Sequence, residues 1–272
     1  MAVTGPIALF DSGEGGLTVL RHLVERFPRE RFLYAADSSH FPYGEKSLSD
    51  VSRWFMAFLD FFTEQGARAV VIACNTATAA ALTQAQTVSP VPVIGVIRAA
   101  VVQAAALTRN RRIGVLSTEA TFRAALYPQE LHAIDPRLQV VSKPCPILVA
   151  MVENGDIDGT HVEDRVHQCV DPVLGQGVDT LVLGCTHFPH MRAVFNRVVG
   201  DRAHIVDPGE EIARHLTSEI AMVSGPGILT PISAWTTGDA ARFSTIATKL
   251  CPYIPMVTRR LSWHNDCLTY PG

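Results

Sequence analysis

The sequence predicts an α/β protein of two similar lobes, each a mainly parallel sheet flanked by helices, related by approximate internal two-fold symmetry. Three features point there. Short β-branched runs alternate with longer amphipathic stretches along the chain. A segment that ends in cysteine occurs twice, GARAVVIAC at 66–74 and GVDTLVLGC at 177–185, an offset of 111 residues. Two further runs repeat in the same order, VIGV at 93–96 with HIVD at 204–207, and IALFDSG at 7–13 with IGVLSTE at 113–119.

Taken in order, strands are expected at IALF (7–10), RFLYA (31–35), AVVIA (69–73), PVIGV (92–96), RIGVL (112–116), LQVVS (138–142), TLVLG (180–184) and HIV (204–206). Between the second and third strands, the stretch from Leu48 to Gln65 carries Val51, Trp54, Phe55, Phe58, Leu59 and Phe62 at helical spacing. That stripe is expected to pack on a sheet, with Gly66 ending the helix. From Val257 to Gly272 no periodic pattern is visible, so this segment is expected to be a tail or appendage.

Composition bounds the function. The chain has 272 residues, 47% of them apolar, which is enough for a full core. A net charge of -3 and only three lysines, Lys46, Lys143 and Lys249, leave no electrostatic footprint for a nucleic-acid backbone. The N-terminal residues lack the pattern of a secretory signal and no run approaches a membrane span, so the expected setting is the cytoplasm, with no membrane partner. Six cysteines without a CxxC pair read as free thiols there.

Ligands of open parallel sheets bind beyond the carboxyl ends of the strands. Cys74 and Cys185 close equivalent strands, so two facing lobes bring both thiols to one ligand from opposite sides. The competing reading is that each is a small buried hydrophobe. The turn Asp11-Ser12-Gly13-Glu14-Gly15-Gly16 offers amides for a carboxylate, or is an ordinary helix cap; it is neither GxGxxG nor a P-loop. In Asp37–Gly44 the backbone and the Tyr43 hydroxyl are candidate contacts, unless the loop is a structural turn with Tyr43 packed as a lid. Cys74-Asn75-Thr76 and Cys185-Thr186-His187 each place donors after a thiol where a helix is expected to start, a position that favours thiolate. His187 is either a proton partner for Cys185 or a surface histidine.

Five segments, DSGEGGLTVL at 11–20, DSSHFPYGEKS at 37–47, ACNTATAA at 73–80, LVLGCTHFPHM at 181–191 and VDPGEEIA at 206–213, together resemble the glutamate racemases of the aspartate/glutamate racemase superfamily. The likeness runs from about residue 7 to about residue 250. It implies a first lobe of residues 1–97 completed by 208–256, a second lobe of 98–207, and a tail of 257–272. It further implies that Cys74 and Cys185 are acid/base thiols, assisted by Asp11 and His187 respectively, with Glu153 near the second thiol. Asp11, Ser12, Pro42, Tyr43, Gly44, Asn75, Thr76, Thr118, Thr121, Thr186 and His187 would form the substrate site. The substrate would be a small molecule, glutamate, the protein a homodimer, and the product D-glutamate a supply for peptidoglycan.

Two bases suit racemisation, because a single fixed base returns the proton to the face it came from. A thiolate is a better base than a carboxylate for a Cα proton. No lysine sits in a context for a Schiff base with pyridoxal phosphate, and no metal-ligand set accompanies Cys185 and His187, so neither cofactor nor metal is expected. Departures from the family pattern are Arg98 after Ile97, the segment Ser117–Thr121, Glu14 and His40. Rival readings are a racemase for aspartate or another acidic amino acid, a non-catalytic amino-acid-binding regulatory protein, and a metal enzyme using Cys185 and His187.

Overall fold

The computed structural model describes residues 5–222 and 230–270; residues 1–4, 223–229 and 271–272 of the expected spans lie outside the described residues. The first half of the chain runs β1 (Ile7–Asp11), α1 (Leu17–Arg26), β2 (Phe32–Ala36), α2 (Leu48–Glu64), β3 (Ala69–Ile72), α3 (Asn75–Val88), β4 (Val93–Gly95) and α4 (Val96–Leu107). It continues through β5 (Arg112–Ser117), α5 (Glu119–Ala124), α6 (Leu126–Ile134), β6 (Gln139–Pro144), α7 (Pro146–Glu153), α8 (Thr160–Leu174), β7 (Thr180–Gly184), α9 (Arg192–Val199) and β8 (His204–Val206). It ends with α10 (Pro208–Glu219), β9 (Ile232–Thr236), α11 (Ala240–Leu250), β10 (Met256–Arg260), β11 (Ser262–His264) and β12 (Cys267–Thr269).

Apart from the antiparallel β11–β12 pair, the strands form two parallel sheets, ordered β10-β9-β2-β1-β3-β4 and β6-β5-β7-β8. The block β2-β1-β3-β4 of the first has the same order as the whole of the second, which is the internal repeat in three dimensions. Register agrees as well: Ile7 lies beside Ala69 in one sheet and Ile113 beside Thr180 in the other. Gly66 and Gly177, which open the repeated segments, adopt φ of 69° and 74°, left-handed turns that glycine enters without a Cβ penalty. Each turn feeds the strand that carries a thiol at its end.

Apolar residues on both faces of the strands explain the layering, since a parallel sheet is covered by helices on each side. In β1, Ile7 and Leu9 join one core while Ala8 and Phe10 join another under α2. The expected stripe of α2, from Val51 to Phe62, is buried in that second core, and Ser47 caps the helix by accepting the Asp50 amide at 3.1 Å.

Two expectations are corrected. The segment after Val257 is not an appendage: Met256–Arg260 is the edge strand of the first sheet, Leu261 is fully buried, and the β11–β12 hairpin sets Trp263 and Tyr270 edge-on against Phe58 and Phe61. The pattern hides this because an edge strand such as MVTRR leaves much of itself in water and alternates poorly. The other correction is the break between Ile97 and Arg98, which falls inside α4. Val96 and Ala99 of that helix pack into the first lobe, whereas Ile97, Ala100, Val101 and Ala104 pack into the second. One helix thus serves both cores.

Candidate active site

Every loop that leaves the carboxyl end of β1, β2, β3, β5, β6 and β7 reaches one cleft between the lobes. Of the residues expected there, Ser12, Pro42, Tyr43, Gly44, Cys74, Asn75, Thr76, Thr118, Cys185, Thr186 and His187 line the cleft. Asp11, Thr121 and Glu153 stand behind its wall and reach it through neighbours.

Cys74 is the N-cap of α3. Its sulfur accepts the Ala77 amide at 3.5 Å and its thiol donates to Ser12 Oγ at 3.9 Å. The expectation that the helix end favours thiolate is reversed here. The residue is only 5% exposed, and burial, reinforced by the charge of Asp11, pushes the thiol up to about 12 despite the Ala77 amide. Cys74 therefore rests as a neutral thiol.

Asp11 does not cap α1, and of the turn that follows it Ser12 lines the cleft. Gly16 is the N-cap, without a side-chain bond, and the whole turn is buried. Asp11 instead accepts the Gly13 amide at 3.0 Å and, across the lobes, the Thr186 hydroxyl at 3.1 Å. Burial raises its carboxyl to about 6, with His187 and these donors pulling the other way. Gly15 has to be glycine for a steric reason: a Cβ there would lie 2.5 Å from Thr186 Oγ1 and 2.6 Å from His187 Nδ1.

The second thiol has a different setting. Beyond Cys185 the chain makes a short 3-10 turn, Phe188–Met191, and α9 starts only at Arg192, so the segment that follows this sulfur does not begin an α-helix at it, contrary to expectation. What Cys185 has is His187, whose Nδ1 lies 3.7 Å from Sγ and whose Nε2 lies 2.6 Å from Glu153 Oε1. Burial opposes charge on His187, but the contacts with Cys185 and Glu153 outweigh it and raise its pKa. Burial likewise opposes charge on Glu153, and the bond to His187 keeps its carboxyl below the usual range. The imidazole is thus a held proton source within reach of the second sulfur.

Hydroxyls stitch the lobes together around the thiols. Thr76 on α3 meets Thr118 at 2.9 Å and Thr121 at 3.0 Å, and Thr118 caps α5 by accepting the Thr121 amide. Asn75 accepts the Tyr127 hydroxyl at 2.7 Å. Tyr43 lines the cleft with its ring, but its hydroxyl donates to Asp37 at 2.7 Å. Asp37 also takes contacts from His40, Ser39, Thr237 and the indole of Trp263, so the C-terminal hairpin reaches the loop that carries Pro42 and Tyr43.

Sequence reasoning missed Phe41, Glu45, Glu119, Pro146, Val149 and Ala150 as lining residues. Pro146, Val149, Ala150 and Glu153 follow i, i+3, i+4, i+7 spacing, one face of α7, and that pattern was available as a signal. Arg98 is outside the site, paired with Glu130 at 2.6 Å on the surface, and His40 stacks on Trp54 at 3.9 Å. No lysine or arginine lines the cleft among the described residues, and these hold no cluster of metal-ligating side chains and no helix able to cross a membrane.

Comparison with known proteins agrees with this architecture. The family model described as Asp/Glu/Hydantoin racemase matches residues 12–216. A glutamate racemase from Symbiobacterium thermophilum is 43% identical over 254 residues, 91% of each chain. Among solved structures, a glutamate racemase isoform from Bacillus anthracis superposes with a TM-score of 0.87 at 32% identity, covering 97% of this chain and 98% of its own. A glutamate racemase from Francisella tularensis, crystallised with D-glutamate, gives 0.86 at 27% identity, covering 95% and 97%. With paired lobes, a thiol at each matching strand end and a family match over three quarters of its length, the chain belongs to the Asp/Glu/Hydantoin racemase family.

Proposed function

We propose that the chain is a glutamate racemase that interconverts L- and D-glutamate with Cys74 and Cys185 and needs no cofactor. The observation that carries this reading is that two thiols, from equivalent strands of two lobes, line one cleft. The relatives named glutamate racemase, one of them crystallised with D-glutamate, support glutamate as the substrate.

In each direction one cysteine, as thiolate, removes the Cα proton from its face, and the other, as thiol, returns a proton to the opposite face. The two arms are built differently. Burial, with the charge of Asp11 added to it, raises the proton affinity of Cys74, which makes its thiolate a stronger base once formed. Cys185 works with His187, whose proton is held by Glu153. The carbanion-like transition state has no covalent electron sink, so its charge is met by hydroxyls and amides fixed around the cleft, notably Ser12, Thr76, Thr118 and Thr186. A substrate that fills the cleft expels water and strengthens those interactions. On the same reading the enzyme is a cytoplasmic homodimer whose D-glutamate feeds peptidoglycan synthesis.

The test is polarimetry or circular dichroism of each glutamate enantiomer with purified enzyme, alongside Cys74→Ala and Cys185→Ala. Wild type is expected to racemise glutamate and each variant to be inactive while melting cooperatively. A variant that turned over at the wild-type rate would sink the two-base mechanism, and preference for aspartate would move the substrate to another acidic amino acid.

A further inference from the structure

Glu14 takes part in none of the steps above, although it stands beside the second arm. Its residue is 6% exposed in the turn between β1 and α1. Its carboxyl hydrogen-bonds that of Glu153, which reaches it from the end of α7 in the other lobe. Glu153 also comes close to the turn itself: its Oε1 would lie 3.5 Å from a Cβ on Gly13. Two carboxyl groups in hydrogen-bond contact keep one proton between them, because two adjacent negative charges repel. Glu153 already accepts from His187 Nε2 at 2.6 Å, which favours its ionised form. The shared proton therefore belongs to Glu14.

We infer that Glu14 is a positioning residue: as a neutral carboxylic acid it donates a hydrogen bond to Glu153 and holds that carboxylate against His187. This rests on the proposed role of Cys185, His187 and Glu153 in racemisation. The chain Glu14–Glu153–His187–Cys185 then crosses from the turn of one lobe to the thiol of the other. Burial, with the charge of Glu153 added to it, pushes the Glu14 carboxyl up to about 8. The other titratable groups around the pair are Tyr34 from β2, His190 from the turn after Cys185 and Arg242 from α11, which acts on Glu153. Loss of the Glu14 proton puts two charges against each other and loosens Glu153 from His187.

Glu14→Gln keeps a donor toward Glu153 but cannot ionise; Glu14→Leu has neither property. Both are assayed in full-length enzyme for kcat and KM across pH, beside wild type. Wild-type turnover should decline as pH rises through about 8. Glu14→Gln should match wild type near neutrality and lose that decline. Glu14→Leu should lower kcat about tenfold, the effect of losing one hydrogen bond to a charged group, with little change in KM. Infrared spectra near neutrality should show a protonated-carboxyl band in wild type that Glu14→Gln lacks. Wild-type kcat and pH profile in Glu14→Leu, equal damage in both variants, or absence of the band would each overturn the inference. Wild-type enzyme that leaves glutamate unchanged overturns the proposed function instead, while the infrared band still reports on Glu14 alone.

Discussion

On the proposed two-thiol mechanism, folding and catalysis make opposite demands on Asp11, and Asp11→Asn separates them. The side chain is fully buried, and burial raises its carboxyl from an ordinary 3.8 to about 6. The native state therefore holds this proton more tightly than the unfolded chain does. A raised acid contributes its full stability below the unfolded value and loses it as pH climbs through the folded value. The span from 3.8 to about 6 corresponds to about 3 kcal/mol, the cost of keeping Asp11 ionised in the native protein at neutral and higher pH. Asparagine is neutral throughout, retains an acceptor for the Gly13 amide and presents an amide to the Thr186 hydroxyl. In urea melts the variant should exceed wild type by about 3 kcal/mol above pH ~7, with the gap closing through about pH 6 and gone near pH ~3.5. In thermal melts near neutrality the same difference is a rise of about 6 °C for a chain of this size. Racemisation should fall by about a hundredfold, because the charge that adds to burial in raising the basicity of Cys74 is gone. An Asp11→Asn protein that is less stable than wild type near neutrality, or whose stability difference is independent of pH, would mean that the fold does not disfavour the ionised carboxylate at this position.

Two further substitutions test how the site is held. Gly15→Ala forces a methyl to within 2.5 Å of Thr186 Oγ1 and 2.6 Å of His187 Nδ1, so it should cost about 1–3 kcal/mol and slow turnover by shifting His187 from Cys185. Kinetics and melts measured together decide it, and an alanine variant with unchanged kcat would show that His187 yields without consequence. Trp263→Phe keeps an aromatic ring in the hairpin but removes the N–H that donates to buried Asp37 at 2.8 Å. A loss of about 1–2 kcal/mol in urea is expected, with a higher KM as the loop bearing Pro42 and Tyr43 loosens. Unchanged stability and KM would place the hairpin outside the working of the site.

Arrangement rather than residue type separates the two thiols. Both are nearly out of water, at 5% and 4% exposure, yet one caps a helix above a buried aspartate and the other faces a histidine backed by a glutamate. The repeat therefore supplies equivalent positions, and the loops that differ between lobes give the two thiols different neighbours.

Local patterns carried much of this into the sequence. Runs of β-branched residues, the helical stripe from Val51 to Phe62 and the glycine-to-cysteine repeat determine the two parallel sheets and set Cys74 and Cys185 at strand ends, because period and turn chemistry are properties of neighbours in the chain. Edge strand β10 and the hairpin after it escaped, since an edge half in water has no clean alternation and its aromatic anchors pack on residues some two hundred positions away. The division of α4 between two cores escaped because both of its faces are apolar. Charge states lay further out of reach. A helix N-cap pointed to a thiolate at Cys74, whereas the folded protein holds it as a thiol, and Glu14 was a departure from the family pattern without a role until Glu153 arrived from the other lobe. Desolvation and cross-lobe hydrogen bonds depend on groups far apart in sequence and close in space, so only the tertiary structure could decide them.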